Sequence, residues 1–172
     1  KRTIPQMIVR FFVPEHHPAA LLPNYNTTMA ETFKTIKRVE FRDTDAAGLM
    51  HFSTYFTYME EAEHELLRSL GTSVVVTNED HSWSWPRVAA TAQYTGPVRF
   101  EDELEIETFI SRLGTSSVIY QHGFSVAGKL VASGSITTVY CKIASGQAPT
   151  GQEIPAELRS QLESYLQHST NE

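Results

Sequence analysis

Between Ser53 and Gly71 the chain carries one helical stretch with a broad apolar arc, and the sequence after it reads as extended runs joined by tight turns. Successive helical residues lie about 100° apart, which gathers Tyr55, Phe56, Met59, Ala62, Leu66, Leu67 and Leu70 on one side. A face of that width has to be buried against a second layer. Ser53 or Thr54 is placed to cap the start of the helix, and Gly71 to stop it.

The extended runs supply the second layer. They fall at residues 83–94, 104–111, 117–126 and 130–143, with turn signals at Gly96-Pro97, Leu113-Gly114 and the tight hairpin Ala127-Gly128-Lys129. A parallel crossover needs about a dozen residues or more, so these neighbours are antiparallel. Upstream, Phe33, Thr35, Lys37, Val39 and Phe41 alternate with Lys34, Ile36, Arg38 and Glu40, the period of a half-buried strand. The acidic, glycine-containing segment Asp43-Thr44-Asp45-Ala46-Ala47-Gly48 breaks that strand and reads as a sharply turning loop. A last short helix opens at Pro155-Ala156 and carries Leu158, Leu162, Tyr165 and Leu166 at helical spacing. The fold class is α+β, an antiparallel sheet wrapped around one long helix, with a short C-terminal helix.

Composition bounds the function. The chain has 172 residues, enough for one sizeable core, and its formal net charge of -6 gives no cationic excess for nucleic acid. Cys141 is the sole cysteine and lies in an apolar run, which indicates a buried thiol and a cytoplasmic location. The apolar run from Met7 to Val13 is interrupted by Arg10 and falls far short of the roughly 20 residues of a membrane span. Residues 1–28 are rich in proline and turn formers and read as an N-terminal arm or a non-native extension, with one domain over 29–172. His64, His81 and His122 lack metal-ligand spacing, so no metal is expected.

The run Arg38-Val39-Glu40-Phe41-Arg42-Asp43-Thr44-Asp45-Ala46-Ala47-Gly48, followed by Tyr55, Met59-Glu60, Ala62 and Glu65-Leu66-Leu67-Arg68, resembles the 4-hydroxybenzoyl-CoA thioesterase family of hotdog proteins. The resemblance continues through Tyr94-x-Gly96-Pro97-Val98-Arg99-Phe100-Glu101-Asp102, Gly114-x-Ser116-Ser117-Val118 and Gly134-x-x-Thr137. It covers nearly everything from Thr32 to Leu166. The resemblance implies an acyl-CoA thioesterase, homodimeric or homotetrameric, with sites at the subunit interface and no cofactor beyond the coenzyme A of its substrate.

By the same resemblance the catalytic carboxylate is Asp45, acting as nucleophile or general base, and the Phe52 backbone N–H at the helix start is the oxyanion donor. The branch acting on short aliphatic acyl groups has a histidine at the place of Phe52. Here His51 stands one position earlier, which near a helix start turns a side chain by about 100°, so His51 is a secondary catalytic candidate. Gly48 belongs to the motif loop, and Glu60 lies where the hydroxybenzoyl branch carries an acid that helps hold the substrate's phenol. Glu63 falls inside the apolar arc, where a carboxylate needs a partner or a raised pKa. Gly48, Glu60 and Glu63 are therefore the candidate substrate contacts, and Arg99 and Arg112 the candidates for coenzyme A phosphates. Trp83 and Trp85 are candidates to cover the acyl pocket. The alternatives are a non-catalytic acyl-CoA-binding hotdog protein and a hotdog hydratase or dehydratase. The second needs an Asp-x-Asn-x-x-His type of segment, which the sequence lacks.

Overall fold

The computed structural model describes residues 30–78, 81–144 and 146–167; the expected N-terminal arm lies outside them. The elements follow in the order β1 Phe33–Arg38, a 3-10 turn Phe41–Asp43, α1 Thr54–Ser69, β2 Val75–Thr77, β3 Ser82–Ser84 and β4 Arg87–Tyr94. Then come β5 Glu103–Leu113, β6 Ser117–Val126, β7 Lys129–Val139, β8 Cys141–Ile143, β9 Thr150–Gly151 and α2 Ala156–Glu163. A five-stranded sheet runs β1-β5-β6-β7-β4 and a four-stranded one β2-β3-β8-β9, all pairs antiparallel.

Alternation decides which face of the large sheet receives the helix. Leu104, Ile106, Thr108 and Ile110 of β5, Val118, Tyr120, His122 and Phe124 of β6, and Ala132, Ile136 and Thr138 of β7 are buried. Helix α1 lays Tyr55, Tyr58, Met59, Ala62, Leu66 and Leu67 into the interior they form. Of these, Met59, Leu66 and Leu67 contribute about 1.5–3 kcal/mol each when fully buried. The helix comes close to the sheet at Gly134, where a Cβ would stand 2.6 Å from Met59 Sδ and 2.7 Å from the Thr91 carbonyl oxygen. Glycine at that point lets the helix settle onto the sheet. A second apolar cluster joins Leu66, Leu67, Trp85, Ile110 and Tyr120 to Ile154 and Leu162, so α2 closes the far end of α1.

Local chemistry sets the boundaries. Helix α1 stops in a paired arrangement in which the Gly71 N–H donates to Arg68 O at 3.0 Å and the Thr72 N–H to Leu67 O at 3.0 Å. That geometry needs a left-handed residue between helix and loop, and Gly71 supplies it with φ 76°. The β6–β7 hairpin turns on Ala127 and Gly128, both at positive φ, as a two-residue turn matching the strand twist requires.

Three expected boundaries are corrected. β1 ends at Arg38, and Phe41 opens the 3-10 turn, its side chain exposed. The run 83–94 is two strands in different sheets, separated at Trp85-Pro86, because Pro86 has no N–H to continue a ladder. The run 130–143 divides likewise at Tyr140, after which β8 leaves β7's sheet to pair with β3. β2 and β9 are too short to leave a periodic signal. Cys141 is buried and free, as expected. No helix among the described residues is long and apolar enough to cross a membrane.

Candidate active site

The Asp-Thr-Asp segment folds back on itself ahead of α1. Thr44 and Met50 form an antiparallel bridge. The Asp45 N–H donates to Leu49 O at 2.8 Å, the Gly48 N–H to Asp45 O at 2.9 Å and the His51 N–H to Asp43 O at 2.8 Å. Gly48 turns the tip with φ 72°, a conformation that favours glycine. The hairpin is docked by the Leu49–Arg99 bridge and by the Met50 N–H, which donates to Val98 O at 2.8 Å. Buried Val39, Met50 and Val98 fix its base in the core.

This frame holds the two aspartates differently. Asp43 Oδ2 accepts from the Glu40 N–H at 3.0 Å and from the Tyr58 phenol at 2.7 Å. Burial, then the hydrogen bond to Asp43, pushes the Tyr58 phenol well above its ordinary range, so it stays a donor. Asp43 is thereby committed to structure. Asp45 sits at the exposed tip. Its Oδ1 accepts from the Ala47 N–H at 2.7 Å and the Leu49 N–H at 3.3 Å, and its Oδ2 has no hydrogen-bond partner among the described residues. One oxygen is fixed and the other faces outward.

The helix start follows directly on the hairpin. The Ser53 N–H donates to His51 Nδ1 at 3.4 Å, Ser53 Oγ stands 2.8 Å from the same nitrogen, and the Thr54 N–H donates to His51 O at 3.0 Å. The Ser53 N–H contact assigns Nδ1 as the accepting nitrogen in the tautomer that carries the proton on Nε2. Ser53 is the N-cap residue by position, yet its hydroxyl meets His51 rather than the helix. Nothing among the described residues accepts from the Phe52 N–H. The Phe52 carbonyl is held by the Tyr94 phenol at 2.9 Å, and its ring is 61% exposed. An open carboxylate oxygen and an open amide thus occur on one hydrogen-bonded hairpin and the helix start that follows it, where the helix dipole adds positive potential.

Other candidates separate. The Arg99 backbone belongs to the hairpin dock and its side chain is exposed. Arg112 lies at the opposite end of β5 from Glu103, about 30 Å away at roughly 3.3 Å per residue, so one chain does not bring it to Asp45. Trp83 and Trp85 line a cavity of about 290 Å³ with Leu70, Tyr140 and Leu158. That cavity sits at the C-terminal end of the 16-residue α1, about 24 Å from its start, so neither tryptophan covers Asp45 within the chain.

Glu60 is half-exposed and pairs with Arg87 Nη1 at 3.2 Å. Glu63, only 1% exposed, has its Oε2 3.3 Å from Arg87 Nη2. Burial raises the Glu63 carboxyl to about 7 against the opposing pull of Arg87, with Glu60 adding to the rise. The position inside the apolar arc is as expected, and the partner is Arg87, which sequence reasoning missed. Tyr58 and Tyr94 were missed too. Both pack across elements distant in sequence, and only the Tyr94-x-Gly96-Pro97 motif marked either one. His122 is buried and held neutral, its pKa pushed down to about 3 by desolvation, with Nδ1 3.0 Å from Thr108 Oγ1. Among the described residues no group of His, Cys, Asp and Glu is arranged to hold a metal ion.

The comparisons with known proteins agree with this architecture. Residues 39–162 match the family described as the thioesterase-like superfamily. The chain is 32% identical over 120 residues to the acyl-CoA thioester hydrolase YbgC of Escherichia coli O6:H1, covering 66% of this chain and 83% of that protein. A 1,4-dihydroxy-2-naphthoyl-CoA hydrolase of Synechococcus sp. (strain CC9605) is 32% identical over 117 residues, 65% of this chain and 78% of its own. Among solved structures, BH1999 gentisyl-coenzyme A thioesterase superposes with a TM-score of 0.64 at 31% identity, over 75% of this chain and 98% of that one. A helix laid on an antiparallel sheet, with the Asp-Thr-Asp hairpin at its start, is therefore a hotdog fold, and the chain belongs to the thioesterase-like superfamily of thioester hydrolases.

Proposed function

We propose that this protein hydrolyses an acyl-CoA thioester to the free acid and coenzyme A, with Asp45 as the working carboxylate and the Phe52 N–H as oxyanion donor. The observation that carries this reading is that a carboxylate oxygen on the hairpin and an amide at the helix start directly after it are both left open by every described residue. As nucleophile, Asp45 Oδ2 forms a bond to the acyl carbon while the carbon–sulfur bond breaks and coenzyme A leaves as thiolate. Water then opens the anhydride and restores the carboxylate. As base, Asp45 takes the proton of a water that attacks the same carbon; the carbon–sulfur bond breaks, and the proton passes to the departing thiolate, which restores the carboxylate. Either route puts negative charge on the carbonyl oxygen, where a fixed N–H is worth about 10²–10³-fold in rate. His51 is given a capping part, since its Nδ1 is engaged by Ser53.

The finer reading places this chain with the 4-hydroxybenzoyl-CoA thioesterases and favours a small or aromatic acyl group. It rests on Phe52 and Glu60 at the positions described above, and on relatives named for naphthoyl and gentisyl thioesters. Arg99, beside the hairpin, is the better phosphate contact of the two arginines. The working unit is a homodimer or homotetramer in the cytoplasm. β4 is an edge strand with Val88, Ala89, Ala90 and Thr91 exposed, a surface fitted to pair with a second copy.

The test is a panel of short, long and aromatic acyl-CoAs, with free thiol followed for wild type and Asp45→Asn. Turnover of an acyl-CoA by wild type alone supports the reading; equal release by both proteins overturns the mechanism. Binding of acyl-CoA without turnover by either protein identifies a non-catalytic carrier. Oxygen-18 water under single turnover then separates the two routes, because only the anhydride route leaves label in Asp45.

A further inference from the structure

A second polar site lies under the middle of α1, away from Asp45. Six buried side-chain atoms have no hydrogen-bond partner among the described residues; besides Thr35 Oγ1 and His122 Nε2 they are Glu63 Oε1, Arg87 Nε, Tyr120 Oη and Thr138 Oγ1. Sheet register brings the residues of these last four together. Arg87 and Thr138 are direct partners across β4 and β7, while Tyr120 of β6 pairs with Ile136, two residues before Thr138 on the same face. Glu63 closes the group from the helix through its contact with Arg87. Burial, and behind it the negative charge of Glu63, raises the Tyr120 phenol, while Arg87 opposes it, as expected of groups sharing one pocket.

The four atoms are chemically complementary to one kind of guest. Arg87 Nε–H only donates, the Glu63 oxygen accepts, and the two hydroxyls do either. An anion is repelled by Glu63 once its carboxyl is ionised, and a cation by Arg87. A small neutral molecule that both donates and accepts satisfies all of them, and a buried water makes about three such bonds.

We propose that Glu63, Arg87, Tyr120 and Thr138 form a closed binding site for ordered water between α1 and the sheet. The water accepts from Arg87 Nε–H, donates to Glu63 Oε1 and exchanges its remaining bonds with the two hydroxyls. It keeps Arg87 in place between Glu63 and the half-exposed Glu60. Within one chain it stands apart from the Asp45 hairpin, Glu63 lying on the order of 15 Å along the helix from Phe52.

A high-resolution crystal structure of the full chain tests the site. A peak within hydrogen-bonding distance of Glu63 Oε1 and of at least one of the two hydroxyls is expected; the four atoms pairing directly, with no peak among them, overturns the proposal. The melting temperature of Tyr120→Phe gives an independent sign. With water present the phenol is bonded, and its removal lowers the Tm by about 2–4 °C or more. In a dry site the phenol is an unpaired burden, and an unchanged or raised Tm overturns the proposal.

Discussion

The Tyr58 phenol donates to Asp43 Oδ2 at 2.7 Å, tying the second turn of α1 to the base of the hairpin that carries Asp45. The bond joins the helix that forms the core to the loop that carries the proposed catalytic carboxylate. A hydrogen bond to a charged acceptor is worth about 1.5–3 kcal/mol, so Tyr58→Phe is expected to lower the melting temperature by roughly 3–12 °C. Loosening the hairpin is also expected to reduce kcat by about tenfold or more. Thermal melts and steady-state kinetics on the same preparation check both effects; a fall in Tm with kcat untouched would separate Asp43 from positioning Asp45.

Gly134→Ala is expected to destabilise by about 1–3 kcal/mol through overpacking, measured by urea unfolding. Met59 can move, but the Thr91 carbonyl oxygen at 2.7 Å from the added Cβ is backbone. The double variant with Met59→Ala should therefore remain less stable than Met59→Ala alone. Rescue to that level would show that only the methionine enforces glycine.

Glu63 makes stability depend on pH. Its carboxyl is raised by burial from 4.5 to about 7. Below pH 4.5 both folded and unfolded chains hold the proton; between pH 4.5 and 7 the unfolded chain releases it first, so stability falls as pH rises through this window. The loss is on the order of 3 kcal/mol. Glu63→Gln carries no such proton, and its stability relative to wild type should improve across that range in denaturant titrations. A pH-independent difference would contradict the buried carboxyl.

His51 is expected to behave as a cap. His51→Ala removes the acceptor of the Ser53 N–H and should cost about 1 kcal/mol of stability. The shape of the kcat/KM profile against pH should stay unchanged, because Asp45 keeps its surroundings. A lost titration limb would restore His51 to the chemistry.

Much of this architecture was legible in the chain. The apolar arc from Tyr55 to Leu70 set the helix and its buried face, and alternation located β6 from Ser117 to Val126 without error. The hairpin residues Asp43 to Gly48 were identifiable as a turn, and Asp45 stood out because the surrounding motif was complete. What escaped was set by contacts between distant segments. Tyr58 reaches Asp43, Tyr94 reaches Phe52 and Arg87 reaches Glu63 across 15, 42 and 24 residues, and no periodicity encodes such meetings. The sheet change at Trp85-Pro86 had a visible cause in the proline, but the one at Tyr140 had none, since its neighbours are apolar and β-prone on both sides.

Asp45→Asn tests the central claim most directly. The amide oxygen still accepts from the Ala47 and Leu49 N–H groups, so the hairpin is preserved while the carboxylate is lost. On the acyl-CoA that wild type turns over fastest, the variant should keep its Tm and lose at least about 10²-fold in kcat. Turnover within a factor of two of wild type would contradict Asp45 as the catalytic group.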